Sequence, residues 1–259
     1  MLLTYDVGNT NIVVGLFDGD DLVGHWRFTT DRHRTGDELR LTTRSLLAEA
    51  EVDVDRVEGI VVASVVPSLT RPLRAGLEPF VHAPVRFLDA NSAPIRLDVE
   101  QPCNVGADRI ANSVAGHRLY GGPLLVLDFG TAINFDLVSK DGAFLGGAIA
   151  PAMRLAARAL TSQAAQLHAV ELIVPDGAIG KTTATNLQSG IVLGYLDLVD
   201  GLISRFRREF PEPFKVLVTG GDGALFHREL ESIDLYDPFL TLKGLRICWE
   251  AWADAKGSA

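Results

Sequence analysis

Leu2-Leu3-Thr4-Tyr5-Asp6-Val7-Gly8-Asn9-Thr10-Asn11 has a second copy in the same chain. Leu124-Leu125-Val126-Leu127-Asp128-Phe129-Gly130-Thr131-Ala132 follows the same plan: an apolar run, an Asp, one apolar residue, a Gly and a short polar side chain. The likeness continues past the turn. Asn11 to Phe17 and Ile133 to Val138 are β-prone runs leading to Asp18-Gly19-Asp20 and Lys140-Asp141-Gly142, and each turn precedes a further apolar stretch. Each copy therefore predicts a hairpin whose first strand ends in an Asp and whose tight turn gathers backbone N–H groups. Such a turn cradles a phosphate, because Gly permits close approach and consecutive N–H groups meet its negative charge. A carboxylate there would repel a bare phosphate, so its use is on a cation or on a bridging water. One copy alone would be an ordinary strand-to-turn sequence; two in matching contexts predict a duplicated α/β domain gripping one polyphosphate from both sides.

Composition sets the class. A chain of 259 residues, 47% hydrophobic and 22% charged, has the make-up of a globular protein large enough for two lobes. A formal charge of -9 without a basic run argues against nucleic acid or an anionic membrane surface as partner. No apolar run is read as a membrane span or signal peptide. Cys103 and Cys248 carry no metal spacing and suggest no disulfide framework, which fits a reducing cytoplasm.

Read in order, residues 1 to about 30 form a meander whose third strand is Gly24 to Thr30. A helix opening at Asp37-Glu38, a buried parallel strand from Gly59 to Val66, a helix from about Thr70 and a strand from Val85 to Leu88 follow. After the second hairpin come a helix with Met153, Ala157, Leu160, Ala164 and Leu167 on one face, and a strand-like run from Val170 to Val174. A helix through Val192, Leu196, Val199, Ile203 and Phe206, a strand from Lys215 to Gly220, and a last helix with Leu245, Trp249 and Trp252 inward complete the chain. Lys256 to Ala259 read as a frayed tail. The expected lobes are residues 1–115, holding the first phosphate motif, and 116–259, holding the second and a Gly turn at Gly220-Gly221.

Two familiar motifs fail on inspection. Ala178-Ile179-Gly180-Lys181-Thr182-Thr183 resembles a Walker A end, but Pro175 stands where its first Gly is required and removes an N–H donor. Gly221-Asp222-Gly223 begins a dinucleotide fingerprint, but the third small position holds Phe226. The six histidines are scattered, with no pair at metal spacing.

The catalytic candidate is Val105-Gly106-Ala107-Asp108-Arg109-Ile110, at the expected join of the lobes. Asp108 falls in the first turn of a helix, where a carboxylate often serves only the helix dipole. Flanked by Arg109, it is expected to stay ionised; near a bound phosphate it would take the proton of an attacking hydroxyl.

Together these segments resemble the type III pantothenate kinases essentially end to end. Asp6 to Thr10, Gly106 to Arg109, Asp128 to Ala132, Gly146-Gly147-Ala148-Ile149 and Thr219-Gly220-Gly221 occur in that family's order and spacing. Ser64-Val65-Val66-Pro67, Ile179-Gly180-Lys181 with Thr183, and Leu240-Thr241-Leu242-Lys243-Gly244-Leu245 extend the match. The resemblance implies duplicated ribonuclease-H-like lobes of the actin, sugar-kinase and heat-shock-chaperone ATPase superfamily. It implies ATP-binding positions at Asp6, Val7, Gly8, Asn9, Thr10, Asn11, Ile12, Val13, Thr131, Gly220 and Gly221, with Mg2+ accompanying the nucleotide. Asp128 would hold a monovalent cation, K+ or NH4+. Pantothenate would meet Gly106, Ala107, Asp108, Arg109 and, from a second subunit, Thr183, giving a cytoplasmic homodimer with shared active sites and Asp108 as proton acceptor. The chain departs from the family's habit at Asn134, Ala152 and His168, and at Val99, where an aromatic substrate contact is usual. Ala152 is harmless if its φ is negative. The alternative reading is a non-catalytic nucleotide-binding accessory protein of the same fold.

Overall fold

The structure, a computed structural model, describes residues 1–164 and 166–257. Its strands and helices run β1 (Leu2–Val7), β2 (Asn11–Asp18), β3 (Asp21–Thr29), α1 (Gly36–Glu49), β4 (Gly59–Ser64), α2 (Pro67–Leu77), β5 (Val85–Phe87), α3 (Ala107–Tyr120), β6 (Leu124–Phe129), β7 (Ala132–Val138) and β8 (Phe144–Pro151). Then follow α4 (Met153–Gln163), α5 (Thr183–Gln188), α6 (Gly194–Glu209), β9 (Lys215–Gly220), α7 (Gly223–Glu229), β10 (Leu235–Tyr236) and α8 (Leu240–Gly257).

The duplication is visible in the sheets. One five-stranded sheet has the order β3-β2-β1-β4-β5, and the other, read from its far edge, β8-β7-β6-β9-β10. In both, the first strand pairs antiparallel with the second and parallel with the fourth. β1 and β6 are the central strands, buried except at their Asp. That is why their apolar residues do not alternate with polar ones: both faces of a covered central strand are inside. The second turn is one residue shorter, since Val7 pairs with Ile12 but Phe129 pairs with Ile133.

The chain divides into two compact units. Unit 1 comprises Met1–Gly121, Ser139–Gly146 and the segment from Phe239 onward; unit 2 comprises Gly122–Val138 and Gly147–Pro238. This differs from a single break after residue 115, which would cut α3. The reason is the packing of α8 on α3. A Cβ on Gly244 would fall 2.0 Å from the Ala111 carbonyl oxygen, so a bare backbone is needed for the two helices to approach. Beside that contact, buried Thr241 Oγ1 donates to buried Asn112 Oδ1 at 2.8 Å. Further along α8, Trp249 covers Gly59, Trp252 Nε1 donates to Ser92 O at 2.6 Å, and Arg246 binds Asp20 and Glu250.

Several local expectations change. Pro67 starts α2 rather than merely ending a strand, at the first helical turn where its missing N–H costs nothing. Thr35 and Glu38 form a reciprocal capping box on α1. Val170–Val174 forms no strand; Val170, Leu172 and Val174 pack against Met153, Leu187, Ile191 and Val192 instead. Leu160 is 42% exposed, so the inward face of α4 is shorter than its apolar spacing suggested. The helix before β9 begins earlier, with α5 and a π turn at Ser189–Leu193 leading into α6. Within this run, Thr183–Glu209, an 18-residue window reaches a mean hydropathy of 1.2, so it matches a membrane span by length and composition alone. Val192, Leu196, Val199 and Ile203 on it are buried in the protein. α8 continues through Gly257, past the expected start of the frayed tail; Ser258 and Ala259 lie outside the described residues.

Gly244 and Gly201 provide a paired test. Gly244→Ala forces a methyl into the Ala111 carbonyl and is expected to cost about 1–3 kcal/mol. Gly201→Ala, mid-helix with nothing within 4 Å of the new methyl, is expected to gain about 0.5–1 kcal/mol. Chemical denaturation of both variants reads the opposite signs.

Candidate active site

In unit 1, β1 delivers Asp6, half-buried, to the mouth of the turn, and Gly8 N–H donates to Asn11 O at 3.0 Å to close it. Asn9 and Thr10 are exposed at the turn's tip; Asn11, Ile12 and Val13 begin β2, with Ile12 in the core. The end of β3 is tied to this turn: Thr30 N–H donates to Thr10 O at 2.9 Å and Thr30 Oγ1 to Gly8 O at 2.7 Å. Arg32 Nη2 donates to Asn9 Oδ1 at 3.0 Å. None of these β3 partners was found from sequence. They depend on a β2–β3 register that shifts between Leu16 and Phe17, which residue spacing does not reveal.

The catalytic candidate lies in the same unit. Gly106 precedes α3 and accepts from Ile110 N–H at 3.1 Å, which puts Asp108 in the helix's first turn as expected. Val65 links this segment to the phosphate turn. Its N–H donates to Val7 O at 3.1 Å, and its Cγ1 would lie 3.5 Å from a Cβ on Gly106. That same Cβ would sit 2.5 Å from Asp108 Oδ1, so Gly106 makes room for the carboxyl group. Arg109 N–H donates to Asp108 Oδ1 at 2.8 Å, while the Arg109 guanidinium lies 5.2 Å from the centroid of the buried Phe144 ring. Burial pushes the Asp108 carboxyl above the usual carboxylate range, against the opposing effects of Arg109's backbone N–H and positive charge. Desolvation is the larger influence here and Arg109 the smaller, opposing one. Val99, where the family's aromatic contact is expected, lines a depression with Asp98, Glu100 and Leu145.

Unit 2 gathers Asp128, Thr131, Gly220 and Gly221. Gly130 N–H donates to Ala132 O and Gly221 N–H to Phe129 O, both at 3.0 Å. Gly220 has φ +89, and a Cβ there would be 2.7 Å from Asp128 Oδ1 and 2.6 Å from the Phe129 carbonyl oxygen. Only glycine keeps this space beside the carboxylate. Thr131 O accepts from Ala152 N–H at 3.4 Å, and Ala152 has φ −70, so the family's glycine is not required there. Asn134 stands opposite Asp128 in the β6–β7 register. Arg154, which sequence did not single out, grips Asp222 through Nε and Nη2 at 2.8–3.1 Å and braces the Gly turn. Phe226 stacks on Phe129 with centroids 4.2 Å apart, filling the position where a dinucleotide site needs a small residue.

Thr183 opens α5 and is exposed; the bonds that fix its surroundings are local, Lys181 N–H and Thr182 N–H donating to Thr185 Oγ1 at 2.9 and 3.0 Å. Among the described residues no group of three or more His, Cys, Asp or Glu side chains is placed to hold a metal ion.

A sequence profile described as type III pantothenate kinase matches residues 2–205. A type III pantothenate kinase of Roseiflexus sp. (strain RS-1) is 43% identical over 96% of this chain and 98% of its own. One from Frankia alni is 46% identical over 96% of this chain and 99% of its own. Among solved structures, the ROK hexokinase of Thermus thermophilus matches with a TM-score of 0.51 at 18% identity, covering 99% of each chain, a likeness of fold: α/β, with two mixed sheets and helices. With the profile spanning most of its length and relatives this similar over nearly all of theirs, the chain belongs to the type III pantothenate kinase family.

Proposed function

We propose that this protein transfers the γ-phosphoryl group of ATP to the primary hydroxyl of pantothenate, giving 4′-phosphopantothenate and ADP, the first step of coenzyme A biosynthesis. The observation that carries the reading is the position of Asp108, seated by Gly106 and linked through Val65 to the Asp6–Thr10 turn. The phosphates of ATP meet the backbone of the Asp6–Val13 segment and Thr131, with Gly220 and Gly221 on the adenosine side. Asp108 accepts the hydroxyl proton as the pantothenate oxygen bonds to the γ-phosphorus and the bond to the ADP oxygen breaks. A carboxyl group raised by burial is a stronger base than an exposed aspartate, which suits that role. Gly106, Ala107 and Arg109 hold the acid substrate, and the stacking of Arg109 on Phe144 limits where its charge lies.

The oxygen donors suit hard cations. The space kept beside Asp128 Oδ1 by Gly220, with the Phe129 carbonyl adjoining, fits a monovalent cation such as K+ or NH4+. Such an ion would offset phosphate charge. The lack of a multi-carboxylate cluster among the described residues fits Mg2+ that arrives on the nucleotide.

The site is shared in a homodimer, with Thr183 supplied by the second subunit. In support, Ile149, Leu155, Leu160, Ile173 and Ile179 are all exposed, Ile179 by 81%, within thirty-one residues that lead to Thr183. Neither Cys103 nor Cys248 is in a disulfide, and burial pushes the Cys248 thiol up to about 12; unreactive or unpaired thiols suit a cytoplasmic enzyme.

Turnover of pantothenate by the purified protein with Mg-ATP, in potassium and in sodium buffer, tests the assignment. Phosphopantothenate formed in potassium and much less in sodium is expected. Absence of product in both, with ATP still binding by calorimetry, would favour the accessory-protein reading.

Asp108→Asn is expected to lower kcat by roughly 10²- to 10⁴-fold with the ATP dissociation constant nearly unchanged. Because the native carboxyl pKa is raised, ionised Asp108 destabilises the fold at neutral pH and costs nothing below the unfolded pKa. Asp108→Asn should therefore melt no lower than the wild type at pH 7. In the wild type, kcat/KM for pantothenate should fall as pH drops through a pKa above the ordinary aspartate range, since only the deprotonated carboxylate accepts the proton. Normal turnover by Asp108→Asn would remove this residue from the mechanism.

A further inference from the structure

A kinase must offset the negative charge of ATP, and this chain does so without a Walker lysine and with a formal charge of -9. The segment after β3, Arg32-His33-Arg34, carries basic residues close in sequence to Thr30, which is bonded to the first turn. Arg34 is engaged elsewhere: its guanidinium lies 4.9 Å from the Phe28 ring centroid and its Nη1 is 3.5 Å from Thr42 Oγ1. Arg32 is different. It is exposed, and its Nη2 reaches the side chain at the turn's tip, Asn9 Oδ1, at 3.0 Å. Its position is set by the two Thr30 bonds to Gly8 O and Thr10 O, which latch the chain onto the turn two residues earlier.

We propose that Arg32 is a phosphate-binding residue, its guanidinium contacting the terminal phosphoryl oxygens of ATP held at Gly8–Thr10, with Asn9 as its guide. A guanidinium carries five N–H donors in a planar fork, and the bond to Asn9 uses one edge of it, leaving donors to grip phosphate oxygens. The same cation gives the turn a preference for nucleotides with a full triphosphate, which an uncharged Gly turn alone provides only weakly. The Asn9 bond orients the side chain before nucleotide arrives, reducing the entropy lost on binding. This inference rests on the reading that ATP phosphates occupy the Asp6–Thr10 turn.

The test compares full-length wild type, Arg32→Ala, Arg32→Lys and Gly8→Ala. Steady-state kinetics with pantothenate and Mg-ATP give the activity, and calorimetric titrations with ATP and with AMP give the affinities. Arg32→Ala should lower kcat/KM for ATP roughly 10- to 100-fold, as expected for loss of a charge-assisted contact. The KM for pantothenate should stay within about 2-fold, and the ATP-to-AMP affinity ratio should collapse by a similar factor to kcat/KM. Arg32→Lys should recover part of the loss, since it keeps the charge but not the fork. A purely structural role through Asn9 would weaken ATP and AMP alike and would not be rescued by Lys; that result overturns the proposal. Unchanged ATP kinetics in Arg32→Ala, with Gly8→Ala impaired, would also overturn it while leaving the turn assignment intact. Unchanged ATP affinity in both would remove the phosphate turn itself, and Arg32 with it.

Discussion

Val65 N–H donates to Val7 O, and Gly221 N–H donates to Phe129 O, at 3.1 and 3.0 Å. These are the same bond in two copies. In each, the strand running parallel to the central strand extends one residue past its end and caps the carbonyl between the Asp and the Gly. In each, a helix then starts two residues later, α2 at Pro67 and α7 at Gly223. The bond ties each turn to the parallel strand beside it, at the carbonyl that separates the Asp from the Gly. It exists because β1 and β6 are central strands with a parallel partner, each buried up to its Asp.

The two copies use this bond differently. In unit 1 the capping residue is Val65, whose side chain approaches Gly106 and thereby links the turn to the carboxylate of Asp108. In unit 2 the strand ends in Gly220-Gly221, and the missing side chains leave space beside Asp128 and Phe129 instead. Duplication with divergence thus gives one turn the Asp108 carboxyl as a neighbour, by way of Val65 and Gly106, and the other a bare glycine backbone beside Asp128. Burial of the Asp108 carboxyl comes at some expense of stability. Asp108 is desolvated, which raises its carboxyl, and it sits at the start of α3, the helix that packs on α8 at Gly244 and through the Asn112–Thr241 bond.

The central strands, both turns and the helix carrying Asp108 were legible in the sequence because each is specified locally, by an apolar run, a Gly at a fixed offset, or helical spacing. Val170–Val174 misled for a physical reason. Its alternating apolar side chains are satisfied by packing on Met153 and Ile191, without any strand ladder, and periodicity does not distinguish the two. The union of α8 with unit 1 rests on Gly244 meeting Ala111 far away in sequence, and the bracing of the Gly turn on an Arg154–Asp222 pair 68 residues apart. Arg32 was hidden by the register shift in β2–β3. Long-range pairings of this kind leave no periodic trace in one chain.

Hydrogen exchange of the wild-type protein, followed by mass spectrometry with and without Mg-ATP, tests the proposed use of the two turns on nucleotide most directly. Slowed exchange on nucleotide binding is expected in peptides covering both Gly8–Asn11 and Gly130–Ala132. Protection confined to one of the two turns, or absent from both while ATP is bound, would contradict it.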